Sequence, residues 1–385
     1  MERKNILIIG MFDSIHLVRW LKQFENECVD FTLLPSKKYK KINPELTKLI
    51  KSNKSANFLL IWPYNINFLS GYMDFTLNKI GSFLRTNFRR NILRKVLLKY
   101  NFDFVHALEI QGAGYLYSEL PKDIIGRNKL ILTNWGSDIY FFSKNKNHNE
   151  KISNAIAIAA YYSAECERDY DLLKNYDFTG VELPCIPNGG GFSPDEINSV
   201  KSLASNRTLI LCKGYGGVFG QAQLAIPAIN SALIKYNYMS VFFYSVTSDI
   251  EHLIILLQNK FGNRVQYSTV SNPLNREKLL NLFREARVYI GCSKSDAIST
   301  SFLEAIVCGA YPIQTNTSCA NEWISKGVVA TLVGLSAAEL SESLDKVLDK
   351  NKLVDFAQIR NAEIARKFLT DKHIKETAKM FYGLK

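Results

Sequence analysis

The 385-residue sequence has no run of about eighteen apolar residues, the length a membrane-spanning helix needs. Its opening apolar stretch, Ile6 to Ile9, is broken by Gly10 and Asp13 and falls short of the hydrophobic region of a signal peptide. Both absences lead us to expect synthesis and residence in the cytoplasm. The seven cysteines (Cys28, Cys166, Cys185, Cys212, Cys292, Cys308, Cys319) are odd in number and include no C-x-x-C pair. That excludes a zinc knuckle or a dithiol redox centre and leaves reduced core thiols. No long low-complexity tract interrupts a composition of 47% hydrophobic and 22% charged residues, which excludes a disordered chain. The length exceeds what one hydrophobic core serves, so two domains of about 150 to 200 residues each are expected.

Strand and helix signals alternate along the whole chain. Asn5 to Gly10 reads as a strand, followed by a helix with Ile15, Val18, Leu21 and Phe24 at helical spacing. Further apolar runs at Phe58 to Trp62, Phe102 to Ala107, Leu130 to Asn134 and Ile158 to Ser163 predict a parallel sheet wrapped by helices. The proline- and glycine-rich stretch Leu183 to Pro194 predicts a hinge, after which the pattern restarts. Strands are then expected at Thr208 to Lys213, Met239 to Tyr244, Val265 to Ser268, Val288 to Cys292, Tyr311 to Gln314 and Ala330 to Val333. The fold class predicted is α/β, two doubly wound Rossmann-like domains with ligands at the carboxyl ends of the strands. Residues 1–187 form the first domain and 188–365 the second, with a helical tail over 366–385 packing back on the first.

The most informative passage is Ser295 to Gly309, which reads as strand end, polar loop and helix. A helix starting near Thr300 or Ser301 and stopping at Gly309 would offer free amides and its dipole to a diphosphate. Asp296 then stands in the loop and Glu304 one turn inside, so one carboxylate can hold ribose hydroxyls and the other sugar hydroxyls. A second reading is open: Ser301-Phe-Leu-Glu304 also fits a capping box, in which Glu304 returns to the Ser301 amide. Lys213 and the loop Gly214-Tyr-Gly-Gly217 with Gly220 follow a strand, where glycines let amides approach a phosphate. They do not make G-x-G-x-x-G, and no acid follows about twenty residues on, so a nicotinamide enzyme is not expected.

Asp296-x(7)-Glu304, Ala305 to Ile313 and Asn321 to Gly327 together resemble the donor-site pattern of the retaining glycosyltransferase family 4, whose fold is GT-B. Leu211 to Tyr215, Ile186-Pro-Asn-Gly189, Asp103 to Ala107 and Trp135-Gly-Ser-Asp138 support the resemblance. It implies a nucleotide-diphosphate sugar as donor, no metal or other cofactor, and transfer with retention, Glu304 on the ribose and Asp296 orienting the sugar. Lys213, Gly214, Gly216, Gly217, Ser299 and Thr300 would hold the diphosphate. It further implies a glycan acceptor, lipid-linked, in bacterial polysaccharide or lipopolysaccharide synthesis. The chain departs from the family's pattern twice: the first acid is Asp296 instead of Glu, and Lys213-Gly214 replaces Gly-Arg. A nucleotide-sugar epimerase or hydrolase, or a non-catalytic binding subunit, would share the same donor site.

In the first half, His16 and Asp138 sit at strand ends on the ligand side and are candidates for the reacting centre, whereas His106 lies inside an apolar strand and reads as structural. Asp169-Tyr-Asp171 has the spacing of a metal-binding D-x-D, but its polar surroundings read as a solvated helix face. All the excess charge lies between Lys37 and Lys99, where fourteen Lys or Arg face two acids. There, Phe83 to Tyr100 predicts a basic amphipathic helix, with Leu84, Phe88, Ile92 and Val96 on one stripe and Arg85, Arg89, Arg90, Arg94 and Lys95 flanking it. The alternatives are docking on an anionic inner membrane face, binding an acidic acceptor, or packing of the stripe on the helix's own sheet. No recognition motif for nucleic acid is present.

Overall fold

The computed structural model describes residues 3–39, 41–52, 57–60, 87–198 and 202–384. The chain divides into two compact units, Met1–Gly190 with Ile374–Lys385, and Gly191–His373. The crossings lie later than the 187/188 and 365/366 positions read from the sequence. Gly190, at φ +76°, turns the chain out of the first unit, and the return waits for a long helix that runs unbroken to Phe368.

Unit 1 runs β1 (Lys4–Gly10), α1 (Ile15–Lys22), β2 (Val29–Pro35), α2 (Pro44–Ser52), β3 (Asn57–Leu60), α3 (Phe88–Lys99) and β4 (Phe104–Ala107). A wide turn, Ile110–Gly114, leads into α4 (Tyr115–Ser118), α5 (Lys122–Ile125), β5 (Lys129–Thr133), α6 (Lys146–Ala157), β6 (Tyr161–Ser163), α7 (Glu167–Leu173) and β7 (Val181–Glu182). The strands form one parallel sheet in the order β3-β2-β1-β4-β5-β6-β7. Ile6 to Ile9 are buried one after another, as in a strand covered on both faces.

Unit 2 runs α8 (Pro194–Asn198), β8 (Leu209–Lys213), α9 (Ala225–Lys235), β9 (Ser240–Val246), α10 (Glu251–Phe261), β10 (Val265–Thr269), α11 (Arg276–Glu285) and β11 (Ala286–Gly291). It continues through α12 (Thr300–Cys308), β12 (Tyr311–Thr315), α13 (Ala320–Ser325), β13 (Thr331–Val333), α14 (Ala337–Leu348) and α15 (Asn351–Phe368). The final helix α16 (Asp371–Met380) carries the chain back into unit 1. The six strands are parallel in the order β10-β9-β8-β11-β12-β13, doubly wound about β8 and β11. Several helices are capped by a side chain: Ser14, Asn87, Asn145, Asn275 and Ser336 each accept an amide of the first helical turn.

Helix α3 differs from the expected amphipathic helix. Its buried residues are Arg89, Leu93, Val96 and Leu97, and the last three belong to the core of unit 1. The apolar side therefore packs on its own domain. Arg89 is on that side and not on the flank, Arg90 is half-buried 3.8 Å from Glu119, and Arg94 and Lys95 are exposed. Leu84 and Arg85 lie outside the described residues.

Returning to unit 1, the C-terminal segment completes a buried polar chain. Trp20 Nε1 donates to the Tyr382 hydroxyl at 3.0 Å, which lies 2.7 Å from His106 Nδ1. His106 Nε2 meets Thr133 Oγ1 at 2.6 Å, and that oxygen meets Ser163 Oγ at 2.6 Å. With Tyr382 donating to Nδ1, Nε2–H donating to Thr133 and Thr133 donating to Ser163, each proton from Trp20 to Thr133 has an acceptor with the imidazole neutral. Burial pushes the His106 pKa down to about 3. Below about pH 6.5 the unfolded imidazole takes up a proton that the folded one refuses, so stability falls as pH drops from there toward 3. Urea unfolding at pH 7 and pH 5 should show this decline, reduced in His106→Gln. Tyr382→Phe, which strands the Trp20 N–H, should cost about 1–3 kcal/mol at pH 7.

Candidate functional site

In unit 2 the adjacent strands β8 and β11 bring Lys213 and the loop before α12 to one edge, and Gly220 bridges to Ser293. Ser299 is the N-cap of α12, its hydroxyl accepting from the Phe302 amide at 3.4 Å. Thr300 and Ser301 are thus the first helical residues, and their amides have no carbonyl to reach within the helix. Gly309, at φ +75°, closes the helix in the left-handed conformation, as its position after the apolar run implies.

This frame decides between the two readings of Glu304. With Ser299 as cap, the capping-box position falls on Phe302 and not on Glu304. Instead Glu304, 3% exposed, accepts from Arg276 Nη1 at 3.2 Å. A capping box does exist in unit 2, at Ser193 and Glu196. Asp296 is half-buried in the loop, with Oδ1 accepting from the Ala297 amide at 2.9 Å. Beneath the start of α12, the buried Tyr244 and Tyr289 hydroxyls lie toward Ser301 and Ser299, without a hydrogen bond of good geometry.

The glycine loop is fastened from behind. Gly214 N donates to Tyr244 O at 2.8 Å, Gly216 N to Thr247 Oγ1 at 2.9 Å and Gly217 N to Asp249 Oδ2 at 2.7 Å. A Cβ at Gly214 would meet Val246 Cγ2 at 2.6 Å, and Gly217 sits at φ +72°, so both positions require glycine. The Thr247 hydroxyl, and then the Gly217 amide, hold the Asp249 carboxyl below the usual range. The amides of Gly216 and Gly217, expected to face a phosphate, are therefore engaged inside the protein, which leaves Lys213 and the α12 amides as the groups for an anion. A cavity of about 970 Å³ opens at the opposite edge, by Arg264, Gln266, Asn281 and Glu285. Asp296 and the start of α12 lie instead at the carboxyl edge, in the connection that follows β11.

In unit 1, His16 begins the second position of α1 just past β1, and its ring meets Trp135 edge-on at 5.6 Å. Asp138 does not present its carboxylate outward. It is 4% exposed, and Oδ2 accepts from Ile110 N at 2.8 Å and Trp135 N at 3.0 Å, fastening the loops after β4 and β5 together. Glu109, which the sequence did not single out, is buried beside it and accepts from Gly112 N at 3.3 Å. Burial raises both carboxyls, Asp138 to about 8 with the Glu109 charge adding to the rise. The D-x-D acids diverge. Asp169 is fully buried against Asn134 Nδ2 at 2.6 Å and Arg168 Nε at 2.9 Å, while Asp171 faces solvent and pairs with Lys174. The stretch is a solvated face only on one side, because residues two apart on a helix point away from each other.

Comparison with known proteins places this geometry. Residues 5–166 match the family model described as Glycosyl transferase 4-like, and residues 261–363 match Glycosyl transferases group 1. The chain is a glycosyltransferase. Among solved structures, Anabaena Alr3699/HepE in complex with UDP is 14% identical with a TM-score of 0.69, each chain covered over 100%. A glycosyltransferase from Rickettsia africae is 14% identical with a TM-score of 0.66, covering 99% of this chain and 98% of that one. An alpha,alpha-trehalose-phosphate synthase from Burkholderia vietnamiensis is 11% identical with a TM-score of 0.69 over 98% of each chain. At such identities the likeness concerns the fold, which is GT-B. No curated protein matches the sequence. No described helix of the glycosyltransferase is long and apolar enough to cross a membrane.

The Asp138 carboxyl gives a test with a defined sign. Its folded pKa, about 8, lies above the unfolded value near 3.8, so its contribution to stability falls as pH rises between those values. Asp138→Asn keeps an acceptor for both amides and has no charge to desolvate. The variant should fold, and its stability relative to the parent should increase from pH 5 to pH 9 in urea unfolding. A constant difference over that range would show that Asp138 is ionised throughout.

Proposed function

We propose that the enzyme transfers a sugar from a nucleotide-diphosphate sugar, with UDP as the nucleotide, to a lipid-linked glycan acceptor, with retention, in cell-surface polysaccharide or lipopolysaccharide synthesis. One observation carries the donor half of this reading: Asp296 and Glu304 flank the open amides of Thr300 and Ser301 at the start of α12, with Lys213 ending the neighbouring strand. Amides, dipole and one lysine suit a diphosphate, and the buried Glu304 suits ribose hydroxyls. Asp296 orients the sugar. UDP and UDP-glucose are the ligands named for the Anabaena structures, which supports uridine as the base. These groups supply positive potential without a metal, and the separated Asp169 and Asp171 offer no D-x-D site.

The acceptor is assigned to unit 1. His16 is its candidate group for contact near the reacting centre. Asp138 acts behind it, by holding the Trp135 turn against which His16 rests. Retention follows the resemblance to family 4, through front-face attack in which the departing phosphate helps accept the acceptor's proton. The enzyme meets this acceptor at the inner membrane face. Lys37, Lys38, Lys41, Arg94 and Lys95 are exposed, whereas the apolar side of α3 is in the core, so attachment is electrostatic and without insertion by that helix.

Glu304→Ala and Asp296→Ala should each reduce transfer by about 10- to 10²-fold in a folded protein, since a charged hydrogen bond to a ligand contributes about 1.5–3 kcal/mol. Parental turnover in both would remove these acids from the donor site. Separately, the protein should sediment with anionic but not neutral liposomes at low salt, and remain in solution at high salt. Equal partitioning to both lipid types, or to neither, would leave the basic segment to an acidic acceptor in solution.

A further inference from the structure

Arg276 opens α11 and holds two carboxylates at once: Nη1 lies 3.2 Å from Glu304 Oε1 and Nη2 lies 3.2 Å from Glu196 Oε1. The three side chains differ in exposure. The Glu304 side chain is nearly fully buried, that of Glu196 is 25% exposed and that of Arg276 39%, so the guanidinium spans from the interior to the surface. Its Cζ lies over Phe192, 5.5 Å from the ring centre. A third acid faces the cluster. The Asp371 carboxyl is raised by burial and then by Glu196, and lowered by Arg276.

These partners mark where the chain enters and leaves unit 2. Glu196 closes the capping box with Ser193, directly after the crossing at Gly191. Phe192 N donates to Leu369 O at 2.8 Å, and Asp371 N donates to Phe192 O at 2.9 Å, just before the chain returns. A carboxylate as buried as Glu304 needs a charged partner to remain ionised, and a planar fork can serve two acids in fixed geometry where an ammonium cannot.

We infer that Arg276 is a positioning residue for the donor site: it keeps Glu304 ionised and aimed at the ribose hydroxyls, and ties that carboxylate to the two chain segments that cross into unit 2. This rests on the assignment of Glu304 to the donor ribose. Glu304 supplies the contact and Arg276 its orientation, so loss of Arg276 acts on the hydroxyls of the ribose and not on the phosphates.

The test is calorimetric titration of the full chain with three probes: UDP, 2′,3′-dideoxy-UDP and inorganic pyrophosphate. The parent should prefer UDP over the dideoxy analogue by about tenfold, the size of one charged hydrogen bond. In Arg276→Ala, and in Arg276→Lys, which keeps the charge and protects the fold, that preference should fall to within about twofold while pyrophosphate binding is unchanged. A preference kept in both variants overturns the inference. So does equal weakening of all three probes, which would mean general disruption. Glu304→Ala separates the two ideas: if it abolishes the preference and the Arg276 variants do not, only the positioning role fails. If Glu304→Ala keeps the preference, the ribose assignment fails and the inference with it.

Discussion

Unit 2 is organised around backbone amides that no helix can satisfy. A helix leaves its first N–H groups without carbonyl partners, and in a parallel sheet wrapped by helices these starts collect on the edge where the strands end. At α12 this obligation is met only in part by the protein's own groups. Ser299 takes the Phe302 amide, while Thr300 and Ser301 stay open to the edge. The neighbouring loop shows the alternative solution. There Thr247 and Asp249 accept from the amides of Gly216 and Gly217, so a loop of similar composition is held by the protein's own side chains.

Charge in the interior follows from the same rule that a buried polar group must be matched. Unit 1 keeps His106 neutral within a chain of hydroxyls, and it fastens its ligand-side loops with Asp138 and Glu109, carboxyls raised by burial. Unit 2 keeps Glu304 buried by setting a guanidinium across it. The first device suits a scaffold that need not change its charge. The second suits a group whose ionised form is required, because an ion pair holds a carboxylate charged where dry burial would protonate it.

Much of this was legible in the sequence where the signal is local. All six strands of unit 2 were, because each is a compact apolar run between polar breaks, and so was Gly309 as the end of α12. Strand β2 leaves no clear run, since Asp30 and Thr32 interrupt its apolar residues, and β7 is too short to leave a pattern. The start of α12 was ambiguous for a chemical reason: Ser299, Thr300 and Ser301 can all cap, and the choice decides whether Glu304 is a cap or an ion-pair partner. Arg276 was invisible because its partner lies 28 residues away, a contact made by the packing of α11 on α12 and not by spacing. Asp138 is similar, since its carboxylate is turned inward by an amide from Ile110. For α3, composition gave a basic helix, but only the packing of Leu93 fixes which side is hidden.

The double crossing of the chain has a consequence for biosynthesis. Unit 2 is one continuous stretch, Gly191–His373, whereas unit 1 needs residues translated after it. While the first 190 residues emerge, the indole of Trp20 and the imidazole of His106 have no Tyr382 to meet, and the aromatic cluster of Trp20, Phe24 and Phe31 lacks Phe381 and Tyr382. Domains generally fold as they are made, N-terminal first. Here that order is inverted for the finished core: the domain begun first is completed last, its aromatic cluster closed only when the tail arrives.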